Sequence, residues 1–258
     1  MFPVLLQIGT MKIYSYGFFI ALGYISALGL GRYLARARGF DPAPFMDLAF
    51  IAIVSGVIGA RALYIITEPA QFIAHPGSVF DVWNGGLVFY GGFLLAMIVC
   101  LAYGRWKKMP LLLTTDIVVT GVAFAHAFGR IGCFAAGCCH GNYCPYPWGI
   151  HNDTEFVNPA LKGQPLHPVQ LYESAALFAL SLLLTWMVAK RKVKSGLGAL
   201  TYLMGYAAIR FVMEFYRGDD DRGVVLGGTL STSQGIALAL FILGCGGILV
   251  GRFRSKNL

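Results

Sequence analysis

The sequence predicts an all-α polytopic membrane protein. Of its 258 residues 57% are hydrophobic, only 12% are Asp, Glu, Lys or Arg, and the mean hydropathy is +0.66. An average soluble domain is roughly 45–50% apolar and about 25% charged. The composition therefore excludes a disordered chain, a coiled coil and most soluble enzymes. A formal net charge of +8 would suggest nucleic acid in a soluble protein, but here it fits cytoplasmic loops that collect Lys and Arg. The opening residues lack a basic n-region and a small-residue cleavage site, so a removable signal peptide is not expected.

A spanning helix needs about 20 mostly apolar residues, and seven segments supply them. Ile13 to Gly31, Val82 to Gly104 and Gly223 to Gly251 carry no charge. Asp47 to Thr67 holds only Asp47 and Arg61, and Leu111 to Ala136 only Asp116 and Arg130. Val169 to Ala189 holds Glu173, and Gly196 to Phe215 ends with Arg210 and Glu214. Together they predict a single bundle over residues 1–258.

Flanking charge orients the segments. Arg32, Arg36 and Arg38 follow the first, Arg105, Lys107 and Lys108 the third, Lys190, Arg191, Lys192 and Lys194 the fifth, and Arg252, Arg254 and Lys256 the seventh. These thirteen of the twenty basic residues share one side. The other side has Glu68 to Gly86, Gly137 to Pro168 and Arg217 to Arg222, and the first two of these contain a single basic residue, Lys162. The expected topology is N-terminus outside and C-terminus cytoplasmic. The longest external loop, about 137–168, is of a length that is usually functional or disordered, and its aromatics suit the headgroup level.

Ionisable residues inside spanning segments are costly and usually face a cavity or a partner. Arg61, Arg130, Glu173, Arg210 and Glu214 all fall on the external half. Tyr206, Arg210, Glu214 and Arg217 are spaced for one helix face. His167, Gln170 and Glu173 recur every third residue where Pro168 opens a helix. The pattern predicts a polar cavity open to the outer leaflet, and three arginines within it suggest an anion such as a lipid phosphate. The plainer reading is mutual neutralisation, Arg210 with Glu214 and Arg130 with Glu173, or an Arg130 that snorkels. Asp116, near the cytoplasmic end, reads as a structural group at a helix N-terminus.

At these residues the chain resembles the bacterial prolipoprotein diacylglyceryl transferases. The matching pieces run through most of its length: Tyr14-Ser15-Tyr16-Gly17, Gly59-Ala60-Arg61-Ala62-Leu63-Tyr64, Gly85-Gly86 with Tyr90-Gly91-Gly92, Phe128-Gly129-Arg130-Ile131-Gly132-Cys133-Phe134, Leu166-His167-Pro168 with Gln170 and Tyr172-Glu173, and Tyr206 through Arg210 and Glu214 to Arg217-Gly218-Asp219. The resemblance implies transfer of diacylglyceryl from phosphatidylglycerol to a lipobox cysteine thiol, or in this divergent chain to another acceptor, at the bacterial inner membrane, with release of sn-glycerol-1-phosphate. It implies phosphate binding and charge stabilisation by Arg130 and Arg210, a supporting or basic role for Glu214, and hydrogen bonds from Tyr16 and Tyr206. Tyr90 and His167 fall at catalytic positions. Arg61, Gly91, Gly92, Gln170 and Glu173 fall at substrate-binding ones. Expected partners are phosphatidylglycerol, a prolipoprotein lipobox peptide and membrane lipids, with no cofactor, metal or nucleic acid.

This chain is a divergent variant of that pattern. The family has His before Gly-Gly where Tyr90 stands, and its signature runs Gly-Asn-Phe-x-Asn-Gly-Glu where this chain has Gly132-Cys133-Phe134-Ala135-Ala136-Gly137-Cys138. Tyrosine, with a reference pKa of about 10, is a poor base, so His140 or His167 becomes the candidate base. Cys133, Cys138, Cys139 and Cys144 fall within twelve residues, and three readings compete. One is a disulfide from Cys138 or Cys139 to Cys144. Another is a metal site, although the spacing matches no standard zinc pattern. The last is a reactive thiol that carries or accepts a lipid group. Two other functional classes stay open: a lipid-binding or transport protein that kept the cavity, and a membrane thiol-redox or metal protein.

Overall fold

The protein, described from a computed structural model, is defined at residues 1–9, 11–82, 85–190, 193–218, 223–225 and 229–256. Arg191, Lys192 and the charged run at positions 219–222 lie outside the described residues. Among the described residues eight α-helices follow one another: α1 (Ser15–Ala37), α2 (Ala43–Thr67), α3 (Pro69–Ala74), α4 (Phe89–Trp106), α5 (Leu111–Ala136), α6 (Val169–Ala189), α7 (Leu197–Glu214) and α8 (Thr232–Lys256). Among the described residues, α1, α2, α4, α5, α6 and the 232–249 part of α8 are long and apolar enough to cross a membrane. The sixth expected segment does form a helix, α7, but its polar face of Tyr206, Arg210 and Glu214 keeps it outside that group.

Boundaries moved where backbone geometry overrides hydropathy. Helix α1 runs on to Ala37, through Arg32 and Arg36. Helix α4 starts only at Phe89, because Gly85 and Gly86 adopt left-handed φ values of 92° and 69°. Three short antiparallel ladders were not expected from the sequence: β1 (Val4–Ile8) with β2 (Met11–Tyr14), β3 (Ile150–His151) with β4 (Pro165–Leu166), and β5 (Val224–Val225) with β6 (Leu230–Ser231).

The chain divides into two compact units, residues 39–114 and residues 1–38 with 115–258. In the smaller unit α2 and α4 pack antiparallel through glycine. A Cβ added at Gly59 would strike the Gly91 carbonyl, one at Gly91 would strike Gly59, and one at Gly92 would meet the Gly56 oxygen at 2.6 Å. Small residues allow this close backbone approach, which supports helix association where lipid gives no hydrophobic drive. Gly91 and Gly92, expected at a substrate site, are thus filled by helix packing.

In the larger unit, α6 presents Val169, Gln170, Glu173, Ser174, Leu177, Leu180, Ser181, Leu184 and Val188 as one buried stripe. Two hydroxyls tie it to α5: Ser174 Oγ donates to the Ala127 carbonyl (2.9 Å) and Ser181 Oγ to the Thr120 carbonyl (3.2 Å). Gly23 of α1 packs against Phe128 and Ala125 of α5, and Gly205 of α7 against Leu180 of α6. Helix α8 lies on α7, with Gly244 and Gly247 against Met204 and Leu200. Large apolar side chains remain exposed on the outer faces, among them Leu182, Trp186, Ile242 and Leu243, as lipid-facing helices require.

Gly59→Val should lower the thermal midpoint in detergent, by about 1–3 kcal/mol of overpacking. Gly29→Ala, where an added Cβ meets nothing within 4 Å, should be neutral or stabilising by about 0.5–1 kcal/mol. Equal midpoints for both variants would refute the glycine contact.

Candidate functional site

Two ion pairs anchor the polar interior of the larger unit. Arg130 of α5 reaches Glu173 of α6 at 2.9 Å, with side-chain exposures of 14% and 1%. Arg210 and Glu214, one turn apart on α7, are 3.0 Å apart. Both neutralising pairs read from the sequence are therefore made, yet they leave the guanidinium groups incompletely used. Arg130 Nε and Arg210 Nη1 are buried with no hydrogen-bond partner among the described residues, as is Gln170 Oε1. A buried polar atom without a partner calls for a physical explanation.

Other groups converge on the same place. Tyr206 stacks on Tyr202 at 5.9 Å and sits 5.5 Å from the His126 ring. The charges acting on it are those of Glu173, Arg130, Arg210 and Arg217. Arg217 lies beyond the end of α7, where its backbone bridges Gly141. Arg210 Nη2 donates to Ser233 Oγ of α8 at 3.1 Å. A cavity of about 190 Å³ opens beside it, lined by Tyr206, Ala207, Arg210, Ser233, Ile236, Ala237 and Leu240. One end is cationic and the wall is apolar, which suits an amphipathic anion.

The cysteines gather by a different route than expected. All six are free thiols, so the disulfide from Cys138 or Cys139 to Cys144 is not formed. Cys144 is fully buried, its backbone N–H bonded to the Pro165 carbonyl. The sulfurs that come together are those of Cys133, Cys138 and Cys139, all within 4.8 Å of one another. The cause is the end of α5. Gly137, at φ +81°, ends the helix in a Schellman turn: the Cys138 N–H donates to the Cys133 carbonyl (3.1 Å) and the Gly137 N–H to the Phe134 carbonyl (3.2 Å). That turn brings side chains five residues apart into contact, here two thiols. Cys139, a non-glycine residue at φ +56°, adds the third. Its acidity is raised by hydrogen bonds from the Cys133 and Cys138 thiols, with Arg217 and Arg130 adding to the effect against its burial.

The loop that carries these thiols is clamped. Asn152 Nδ2 and Thr154 Oγ1 donate to the Gly137 carbonyl at 2.8 and 3.0 Å. Gln170 Nε2 donates to the Cys138 carbonyl at 2.7 Å. His140 is buried and spent on backbone, with Nδ1 3.0 Å from the Gly141 carbonyl and Nε2 accepting from the Asn158 N–H at 3.4 Å. It fastens the loop through both ring nitrogens. His167 sits in an aromatic box with Tyr146, Tyr172 and Tyr216, its Nδ1 3.3 Å from the Tyr172 hydroxyl. Tyr16 is half exposed on α1.

In the smaller unit, Arg61 is buried, and backbone oxygens surround its guanidinium. Nε donates to the Val79 carbonyl (3.1 Å), Nη1 to those of Gly85 (3.1 Å) and Gly86 (3.0 Å), and Nη2 to that of Ser78. Tyr64 and Phe72 stack on it. Its donors staple a loop of the smaller unit. Tyr90 is 70% exposed and packs only on Phe89 among the described rings. Asp116 is structural as expected, though for another helix: its carboxylate accepts from the N–H groups of Gly196 and Ala199, both at 2.7 Å, at the start of α7.

A family model described as prolipoprotein diacylglyceryl transferase matches residues 3–250. Phosphatidylglycerol–prolipoprotein diacylglyceryl transferase 2 of Clostridium perfringens (strain 13 / Type A) is 39% identical over 250 residues, covering 96% of this chain and 93% of that protein. The phosphatidylglycerol–prolipoprotein diacylglyceryl transferase of Clostridium tetani (strain Massachusetts / E88) is 36% identical over 98% of this chain and 99% of its own length. That of Cupriavidus necator is 30% identical, covering 94% and 89%.

If Arg61 is a staple, Arg61→Lys should lower the thermal midpoint, by about 2 kcal/mol or more for lost charged hydrogen bonds. The KM for a lipid substrate should not move. A raised KM at an unchanged midpoint would return Arg61 to the substrate site.

Proposed function

This chain belongs to the prolipoprotein diacylglyceryl transferase family, and we propose that it moves the diacylglyceryl group of phosphatidylglycerol to a prolipoprotein cysteine thiol. The observation that carries the site assignment is the pair of buried, unpartnered guanidinium donors, Arg130 Nε and Arg210 Nη1. A phosphodiester would accept from both.

The step forms a thioether bond between the acceptor sulfur and the terminal glycerol carbon of the diacylglyceryl group, and it breaks the bond from that carbon to phosphate oxygen. sn-Glycerol-1-phosphate leaves with the second negative charge, and the thiol proton neutralises it in solution. Charge grows on the phosphate as the bond breaks, so the arginines interact more strongly with the transition state than with the bound lipid. Glu173 and Glu214 hold the guanidinium planes in place. Gln170 Oε1 is an acceptor for a headgroup hydroxyl, and Tyr206 and Tyr16 are hydrogen-bond donors. The apolar wall of Ile236, Ala237 and Leu240 suits the start of an acyl chain.

We place the enzyme in the bacterial inner membrane with α1, α2 and α4 to α8 spanning it, the N-terminus outside and the C-terminus cytoplasmic. Support comes from the four basic clusters on one side and from the ion-paired site near the opposite ends of α5, α6 and α7. A lipid-binding protein without chemistry would bind phosphatidylglycerol through the same arginines.

The test is the purified protein with phosphatidylglycerol and a lipobox peptide, reading sn-glycerol-1-phosphate and peptide mass. Release that requires the peptide, with a diacylglyceryl mass gain, is expected. Arg130→Gln and Arg210→Gln should each lower kcat about 10²–10³-fold, with thermal midpoint as the folding control. Lipid binding without release by the unmodified protein would overturn the reading.

A further inference from the structure

We propose that Cys133, Cys138 and Cys139 form a three-thiolate site for a thiophilic divalent cation with zinc-like chemistry, and that the site's open fourth position takes the acceptor thiol. The second half rests on the transferase reading, whereas the first stands on geometry alone.

The three sulfurs lie within 4.8 Å of one another. A tetrahedral zinc with Zn–S bonds of about 2.3 Å spaces its sulfurs about 3.8 Å apart, so closure needs only a contraction of roughly 1 Å. The ligands are already directed. Cys133 and Cys138 meet through the Schellman turn at Gly137, and the turn's carbonyls are fixed by Asn152, Thr154 and Gln170. An added Cβ at Gly141, two residues past Cys139, would strike His167, and one at Gly218 would meet the Gly141 oxygen at 2.5 Å. The loop after the cluster therefore has little room to move. Cys133 is buried while Cys138 and Cys139 are partly accessible, as a site with one open side requires.

Charge and place agree with this occupant. Three thiolates and a divalent cation sum to one negative charge, and Arg130 and Arg217 are the cations whose charge acts on Cys139. Three protein ligands leave the fourth tetrahedral position open, the arrangement of catalytic rather than structural zinc. An incoming thiol that binds there loses its proton to solvent and becomes a coordinated thiolate. Its sulfur then attacks the glycerol carbon, the carbon–oxygen bond to phosphate breaks, and glycerol phosphate takes up a proton. No metal is oxidised or reduced. This gives a thiolate nucleophile without calling on Tyr90, His140 or His167 as a side-chain base.

The experiment uses the full chain in detergent, purified under reducing conditions, stripped with chelator and titrated with Co²⁺ and Zn²⁺. One Co²⁺ per chain with thiolate charge-transfer absorption, displaced by Zn²⁺, is expected. Cys133→Ala and Cys139→Ser should lose that absorption, and Cys100→Ser and Cys245→Ser should keep it. Thermal midpoints report folding for each variant. Absence of the absorption in the unmodified protein, or its survival in both Cys133→Ala and Cys139→Ser, overturns the site. Stripping should lower peptide-dependent transfer at least tenfold while phosphatidylglycerol binding holds, and Zn²⁺ should restore it. Metal binding with transfer indifferent to stripping overturns the activating role alone. Metal binding with no transfer in any state instead refutes the transferase reading.

Discussion

The ion pair between Arg130 and Glu173 joins α5 to α6 with the carboxylate almost wholly buried, and much of the larger unit is arranged around it. A buried pair of this kind is weak as a source of stability, because removing two charges from water offsets most of their attraction. An apolar contact of the same volume would hold the helices at least as well. The hydroxyl bonds from Ser174 and Ser181 to α5 already do so without charge. Chemistry is the better reason to keep a charge there, and Arg130 Nε, buried without a partner, is where that chemistry has room to act.

The same criterion separates the intramembrane charges into two kinds. Arg61 is surrounded by backbone oxygens, and Asp116 accepts two backbone N–H groups at 2.7 Å. Each completes a piece of main chain that would otherwise leave polar atoms unsatisfied: a loop crowded with carbonyls, and the first turn of α7. Arg38 does likewise, reaching the carbonyls of Val188, Lys190 and Val193 after α6. Arg130 and Arg210 are instead held by carboxylates that leave donors over. Presence of charge in a span does not by itself mark function; incomplete use of that charge does.

Long apolar runs made the seven long helices legible, since nothing but a helix satisfies twenty consecutive backbone groups in hydrocarbon. Ion pairing was legible too, because Arg210 and Glu214 are one turn apart and Arg130 and Glu173 were expected on the same side. What failed to show was decided by distant backbone. Arg61 finds its acceptors 17 to 25 residues away in a loop with no pattern of its own. Gly91 and Gly92 resemble ligand-approach glycines, and only the structure shows another helix filling the space. Two-residue ladders leave no periodic trace. The thiol cluster was readable in principle. Cys133, Gly137 and Cys138 stand at the positions that a Schellman turn brings into contact, a signal in helix-end chemistry rather than in metal-motif spacing.

Replacement of the polar signature by cysteine changes the kind of site this is. Asparagine and glutamate offer neutral hydrogen bonds and one fixed charge. Three neutral thiols offer only weak hydrogen bonds, such as that from Cys138 Sγ to the Cys133 carbonyl at 3.7 Å, and ionised side by side they repel. Something positive must then sit among them or beside them. Arg130 and Arg217 supply part of it, but Arg130 is already matched to Glu173 and, on the proposed reading, gives its remaining donor to the lipid phosphate. One guanidinium cannot fully serve a carboxylate, a thiolate cluster and a phosphodiester together. A divalent cation among the sulfurs resolves the conflict. It leaves the arginines to the phosphate and places the sulfur nucleophile in the same charge neighbourhood as the anion it must displace.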